Sequence, residues 1–344
     1  QDRPTPSAEE SRSSLRPGYR LHTRWTIGWM DRGTASSCRQ LRPSHKIGNT
    51  LPSLQMLLQN GLQLCLVLPD RPSDETDHLE HLAHAFGVTP TRISPHNSGQ
   101  EIKEWFEREK PDLVVVLTFP YFIPGELLSQ ETPWFNFHYA PLPQYRGAEP
   151  NFWQLKNRET SGAVTVHLIS EKPDAGPIVF VDPVPIDPDD THGMHVSKLA
   201  IAGISSLVKL IQMWQRNEGK IETTSQDEDG AQTYPRVSLE HLLIRWEEMS
   251  ALEIKALVQA CNPWNKGAVA FLEGKPLRIS SVRIQKSETK NERIPGRLVV
   301  DENGNPKAET QSLKPKPFDE PLAQSCQPGP LHEEICFINV PPLP

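Results

Sequence analysis

Cysteine is scarce. Cys38, Cys65, Cys261, Cys326 and Cys336 are widely scattered and include no Cys-x-x-Cys pair. An odd count at such spacing argues against a disulfide framework and for a reducing, cytoplasmic setting. No apolar run reaches the roughly 18 residues that a membrane span needs. The most apolar stretch, 113–128, is cut by Pro120 and Pro124, so no span is expected. Gly-x-Gly-x-x-Gly, Gly-x-x-x-x-Gly-Lys-Ser/Thr and His-Glu-x-x-His are all missing, which leaves no argument for a nicotinamide, ATP or zinc-protease site. The Gly-x-Ser in 203–206 lies inside a helical pattern and is not a nucleophile elbow. Positive charge is not in excess either. There are 36 basic against 43 acidic residues, for a net charge of −7. That excludes a generally basic nucleic-acid binder and leaves room only for a local patch.

Proline, by contrast, is abundant, with 34 in 344 residues. That is about twice the average share, and much of it must sit in linkers and tails. The length suits two or three domains. The chain opens at Gln1, which reads as a fragment or a processed product. Asp2, Glu9 and Glu10 spoil a transit peptide. Residues 1–46 are irregular, with a single strand candidate at 25–30. From Leu51 helices and strands alternate. Helical patterns cover 51–61, 74–87, 101–110 and 191–217; strands cover 62–69, 111–120, 134–140, 162–169 and 177–186, the last two antiparallel. Runs such as PDLVVVLTFP suit a sheet covered on both faces. The fold class expected is α/β: a Rossmann-like, open, mostly parallel sheet over 47–218. A linker at 219–239 and a small C-terminal β-domain at 240–310 follow. The tail, 311–344, is Pro-rich and reads as loosely held.

Chemistry is sought beyond the C-terminal ends of the strands. Asn136 and His138 end one strand, and residues two apart on a strand share a face. An amide donor beside an imidazole can hold a carbonyl oxygen as it becomes an oxyanion. Asp174, between two later strands, is the candidate carboxylate to fix the imidazole's tautomer. Taken alone, Asn-x-His is a frequent accident. Arg146 reads equally well as a substrate clamp or as the anchor of its own loop. His78, His81 and His84 drift around a helix rather than forming a metal comb. Asp189, Asp190, His192 and His195 suit a helix start.

The wider stretch resembles a known family. Asn136-x-His138 is followed by a Leu-Pro-x-Tyr-Arg-Gly loop (142–147), a Gly-apolar-Thr strand (162–165) and Asp174-x-Gly176-Pro177. Together, in that order, these resemble the signature of formyltransferases that use 10-formyltetrahydrofolate. The upstream stretch VVVLTFPYFIPGELL, with Pro124, Leu127 and Leu128 in place, is similar too. Residues 244–246 and 262–279 resemble the β-barrel domain, OB-like, that the transfer-RNA enzymes of this family append. The resemblance covers 47–300.

It implies the formyltransferase fold and transfer of a formyl group from 10-formyltetrahydrofolate, as co-substrate, to a primary amine, with no metal. Asn136, His138 and Asp174 would be catalytic. Asn136 would bond the formyl oxygen, His138 would stabilise the oxyanion, and Asp174 would orient His138 and help take the amine's proton. Phe119, Tyr121, Ile123, Pro141, Leu142, Pro143 and Glu171 would hold the folate, and Arg146 and Gly147 would form the substrate loop. The acceptor implied by the appended domain is the amino group of methionyl-tRNA, with transfer RNA as partner. Residues 251–300 carry nine Lys/Arg against four Asp/Glu, which suits phosphate contacts. The acidic loop PDRPSDETDH (69–78) instead favours a small amine, such as an amino sugar or amino acid. A non-catalytic folate-binding relative is the remaining alternative, because no good strand precedes the helix at 51 and the tail does not read as further strands.

Overall fold

The computed structural model describes residues 50–59, 64–71, 73–129, 131–272, 274–286, 298–300, 306–308 and 333–339. The irregular segment expected at 1–46, its strand candidate at 25–30 and most of the Pro-rich tail lie outside those residues. The first half alternates as the sequence suggests: α1 (Thr50–Gln59), β1 (Val67–Pro69), α2 (Asp74–Ala85), β2 (Thr91–Ile93), α3 (Ser98–Glu109), β3 (Val114–Val116), α4 (Gly125–Leu128) and β4 (Trp134–His138). Then come β5 (Arg146–Gly147), α5 (Pro150–Lys156), β6 (Ser161–Leu168), β7 (Ile178–Pro185) and α6 (His192–Arg216).

Helix starts follow their caps. Ser73 Oγ accepts the Thr76 N–H, and Thr76 Oγ1 accepts the Ser73 N–H in return, a reciprocal box that satisfies two donors the helix cannot. Thr191 caps α6 by accepting from the Met194 N–H. Helix α3 buries Ile102, Trp105 and Phe106, the three- and four-residue spacing of one helical face.

The sheet is mixed, not mostly parallel. β1 pairs with β2 and β3 with β4 in parallel, whereas β4–β6 and β6–β7 are antiparallel. The short connection at 169–177 compels the last of these, since parallel neighbours need a crossover of a dozen or more residues. Both faces are covered. Leu66, Leu68, Val115, Phe135, Phe137, Leu199 and Leu207 form one core with α1 and α6. Val67, Ile93, Val114, Val116 and Trp134 pack with α3 on the other face. Helix α6 is long and apolar enough to cross a membrane by length and composition, but its Leu199, Leu207, Leu210 and Ile211 belong to the first core.

A third core joins α5 to the C-terminal half. Phe152 and Trp153 pack with Leu242, Ile254, Leu257, Val269 and Ile279. The elements here are β8 (Thr233–Tyr234), α7 (Ala251–Ala260), the hairpin β9 (Ala268–Leu272) and β10 (Lys275–Ile279), and β11 (Ser281–Lys286), β12 (Leu298–Val300), β13 (Pro306–Ala308) and β14 (Glu333–Asn339). The last four form one sheet in the order β11-β14-β13-β12. Strand β14 departs from the expectation of a loosely held tail: Glu333–Asn339 interrupts the proline-rich composition and pairs with both β11 and β13. Among the described residues these strands do not close into a barrel.

One polar cluster is sealed inside the first half. His195 is fully buried, and neither ring nitrogen has a partner among the described residues. Gly162 makes room for it, since a Cβ there would stand 2.6 Å from both His195 Cε1 and Gln154 Oε1. Burial holds the His195 imidazole down to about 4, against 6.5 in the unfolded chain. The neutral ring is therefore the one that fits the fold. Its contribution is complete above pH 6.5 and is lost as pH falls through the window toward 4. Unfolding free energy should drop across that window by up to a few kcal/mol on this account, and His195→Leu should flatten the slope. Denaturant titrations at stepped pH check this, and a slope equal to wild type in the variant would refute it.

Candidate active site

The β4–β6 register builds the centre. Asn136 stands opposite His167, and His138 opposite Thr165. Partners directly opposite on paired strands share a face, so these four side chains converge. Asn136 Nδ2–H donates to His167 Nε2 at 3.0 Å, and His167 Nδ1–H donates to the Leu168 carbonyl at 2.8 Å. That carbonyl can only accept, so it fixes the His167 tautomer and leaves the Nε2 lone pair for Asn136. Burial, followed by the nearby His138, pushes the His167 pKa down to about 4, which keeps that lone pair available at neutral pH. His167 thereby sets which way the Asn136 amide points.

His138 is 7% exposed. Its Nδ1 faces Asp174 Oδ1 at 3.6 Å, and its Nε2–H donates to the Tyr145 carbonyl at 2.6 Å. Asp174 comes from the β6–β7 connection and has a left-handed backbone, φ 55°, an arrangement that Asp tolerates better than most residues. Its Oδ2 accepts the Gly147 N–H at 2.9 Å. The structure thus brings Asn136, His138 and Asp174 into one site, with Gly147 touching the carboxylate.

Arg146 is 2% exposed, and four of its five guanidinium hydrogens are taken up by side chains of the linker. Nε and Nη2 donate to Gln226 Oε1 at 3.1 and 2.8 Å, while Nη1 and Nη2 donate to Glu228 at 3.1 and 2.7 Å. This is the anchor geometry, not that of a clamp reaching into solvent. Hydrogen bonds from Arg146 and then Lys172 hold the Glu228 carboxyl down to about 2. Gly147, at φ 101°, lies so close to the linker that a Cβ there would stand 2.3 Å from the Tyr234 carbonyl oxygen. β5 and β8 pair in parallel at this contact.

The residues expected to hold the folate fall in two groups. Phe119, Tyr121 and Ile123 form an apolar wall beside Val116 and Trp134, with Phe119 and Tyr121 edge to face at 5.3 Å. Phe119 and Ile123 also line a small cavity with Val67, Ile102 and Trp105. Pro141, Leu142 and Pro143 lie in the loop after β4. The Leu142 N–H donates to Thr165 Oγ1 at 3.3 Å, and Thr165 Oγ1–H donates to the Ala140 carbonyl at 2.7 Å. Glu171 is exposed, but its Oε1 lies 3.3 Å from where a Cβ on Gly125 would be, so its carboxylate reaches the 119–125 loop. Beside that loop, the buried Thr118 Oγ1 has no partner among the described residues. An apolar wall with a spare polar atom suits a flat heteroaromatic ligand. Among the described residues no group of three His, Cys, Asp or Glu is placed to hold a metal ion.

Sequence reasoning missed His167, Gln226 and Glu228. For His167 a signal existed: in VTVH, Thr165 and His167 alternate in step with Asn136 and His138. Gln226 and Glu228 sit in a polar linker with nothing local to mark them.

Comparisons with known proteins identify the family. Residues 70–211 match the family model described as formyl transferase, and 236–311 match its C-terminal domain. Methionyl-tRNA formyltransferase of Syntrophus aciditrophicus is 31% identical over 238 residues, covering 67% of this chain and 74% of that protein. In fold, the chain resembles the N-formyltransferase of Helicobacter canadensis solved with folinic acid and dTDP-3-aminofucose: TM-score 0.62, 16% identity, 92% and 98% of the two chains. It also resembles Aquifex aeolicus HypX solved with tetrahydrofolic acid, with TM-score 0.55 and 16% identity. That match takes in 84% of this chain but only 42% of HypX. A sheet ending in Asn136 and His138, a carboxylate returned to them by the next hairpin, and matches in both halves lead to one conclusion: this chain belongs to the formyltransferase family of enzymes.

Proposed function

We propose that the enzyme moves the formyl group of 10-formyltetrahydrofolate to the amino group of methionyl-tRNA, with Asn136, His138 and Asp174 as its catalytic residues. The observation that carries this reading is the convergence of those three side chains, with His138 held between Asp174 Oδ1 and a loop carbonyl. The folate supplies an activated one-carbon unit. Phe119, Tyr121, Ile123, Pro141, Leu142, Pro143 and Glu171 hold it beside the β4 end.

Asn136 Nδ2 carries two hydrogens. One is committed to His167, and the other is free to meet the formyl oxygen. As the amine lone pair bonds to the formyl carbon, the carbonyl electron pair moves onto oxygen, where Asn136 and His138 stabilise the charge by hydrogen bonding. Asp174 keeps the imidazole oriented and receives the amine's proton. Collapse of the oxyanion then breaks the bond to the folate nitrogen, which leaves with the proton that Asp174 hands on. Removing an oxyanion donor should cost on the order of 10²–10³ in kcat. Asn136→Ala and His138→Ala are expected to fall in that range, and Asp174→Asn should also be strongly impaired. Turnover at the wild-type rate in both His138→Ala and Asp174→Asn would reject the assignment.

The acceptor rests on the relative named as a methionyl-tRNA formyltransferase and on the C-terminal match at 236–311. In this reading, residues 240–310 form a small OB-like β-domain that meets the transfer RNA, joined to a catalytic domain at 47–218 by the linker at 219–239. The basic character of 251–300 is partly spent inside the chain. Lys255 donates to Asp189 and to the Pro188 carbonyl, and Arg278 donates to the Asn265 and Gly267 carbonyls. The exposed Lys266, Lys275 and Arg283 are the cations offered to phosphate. Transfer-RNA affinity should fall steeply between about 50 and 200 mM salt, and Lys266→Ala with Lys275→Ala should lessen that slope. Turnover of an amino sugar instead of methionyl-tRNA, with no salt dependence, would move the acceptor to the small-amine class.

A further inference from the structure

The linker does more than join two halves. Thr224 and Ile178 exchange backbone hydrogen bonds of 2.8 and 2.7 Å at the mouth of β7, just past the Asp174 loop. Further on, the Arg146 N–H donates to the Gln232 carbonyl at 2.9 Å, and the Gln232 N–H donates to the Pro143 carbonyl at 3.0 Å. The segment 224–234 is therefore fastened to both loops that frame His138. Between those two fastenings lies Gln226. Its Nε2 donates to the carbonyls of Asp174 and Gly176, both at 2.8 Å, and its Oε1 accepts two hydrogens from Arg146. The amide orientation is unambiguous, because carbonyls only accept and a guanidinium only donates.

We infer that Gln226 is a positioning residue for Asp174, acting through the backbone. The inference rests on the reading of Asp174 as a catalytic carboxylate. Asp174 occupies a left-handed conformation that is uncommon for a non-glycine residue, and such conformations persist only where the surroundings over-determine them. Gln226 does this by gripping the carbonyl on Asp174 itself and the one two residues later. The following glycine is equally constrained: a Cβ on Gly176 would lie 1.8 Å from the Leu168 carbonyl oxygen, so the loop backbone lies directly against the end of β6. The direction of the Asp174 carboxylate, toward His138 on one oxygen and Gly147 on the other, follows from that backbone. Arg146, fixed by Glu228, in turn fixes Gln226. A residue 52 positions later in the chain thus sets the carboxylate's angle.

The variant that separates this role from simple anchoring is Gln226→Glu. A carboxylate there keeps its acceptor for Arg146 but has no hydrogen for the Asp174 and Gly176 carbonyls. Gln226→Leu removes both functions. Each is compared with wild type and with Asp174→Asn in the full chain, using 10-formyltetrahydrofolate and methionyl-tRNA, with amide exchange followed at Gly147, whose N–H the Asp174 carboxylate covers. Both Gln226 variants should lose roughly 10–100-fold in kcat, the scale of a misplaced reacting group, with KM for the folate within about twofold; Gln226→Leu should also melt lower, because it strips an acceptor from the buried Arg146. Gly147 exchange should quicken in both. Wild-type kcat in Gln226→Glu beside a slow Asp174→Asn overturns the proposal, as does a slow Gln226→Glu whose Gly147 exchange is unaltered. An active Asp174→Asn defeats the catalytic reading instead, and the Gly147 exchange then still decides whether Gln226 sets the carboxylate.

Discussion

Burying a guanidinium imposes a constraint that organises everything around it. Arg146 cannot shed its charge, and at 2% exposure it must find oxygen acceptors inside the protein. Its own neighbourhood, a short loop rich in proline, offers few. The acceptors come from Gln226 and Glu228, some 80 residues away in the chain. Meeting that demand ties the loop after β4 to the linker, and the linker to the Asp174 turn. The two loops that meet at His138 are thus tied together through one cation.

How much of this can be read from the chain alone varies with the range of the interaction. Period-two patterning made β4 and β6 legible, and with them the shared face of Asn136 and His138. Thr191 and the apolar repeat after it announced α6. Asp174 was recoverable because the turn joining β6 to β7 is short and holds few carboxylates. The carboxamide and carboxylate that hold Arg146 were not, because they answer to partners 80 and 82 residues away and leave no local period. Strand β14 was hidden for a different reason. Proline-rich flanks dominated the composition, while the alternation in Glu333–Asn339 is brief. The expectation of a mostly parallel sheet failed because hydrophobic runs report burial on two faces, not strand direction.

The centre of the sheet raises a separate physical point. β1 and β3 contribute residues to the same two cores, Leu66 and Leu68 with Val115 on one face, Val67 with Val114 and Val116 on the other. Yet among the described residues they belong to different hydrogen-bonded sheets. Among the described residues, these two side-chain layers are where the α2–α3 part meets β3 and β4.

The Tyr145 carbonyl, 2.6 Å from His138 Nε2, has a consequence for the resting enzyme. In the proposed mechanism it occupies the hydrogen that the oxyanion would claim during turnover. In that mechanism the loop supplies a stand-in of its own, a neutral oxygen that keeps the imidazole's donor aligned. Reaction then becomes an exchange of one oxygen for another with greater charge, not the creation of a new hydrogen bond from water, and the gain scales with how much more negative the newcomer is than an amide carbonyl.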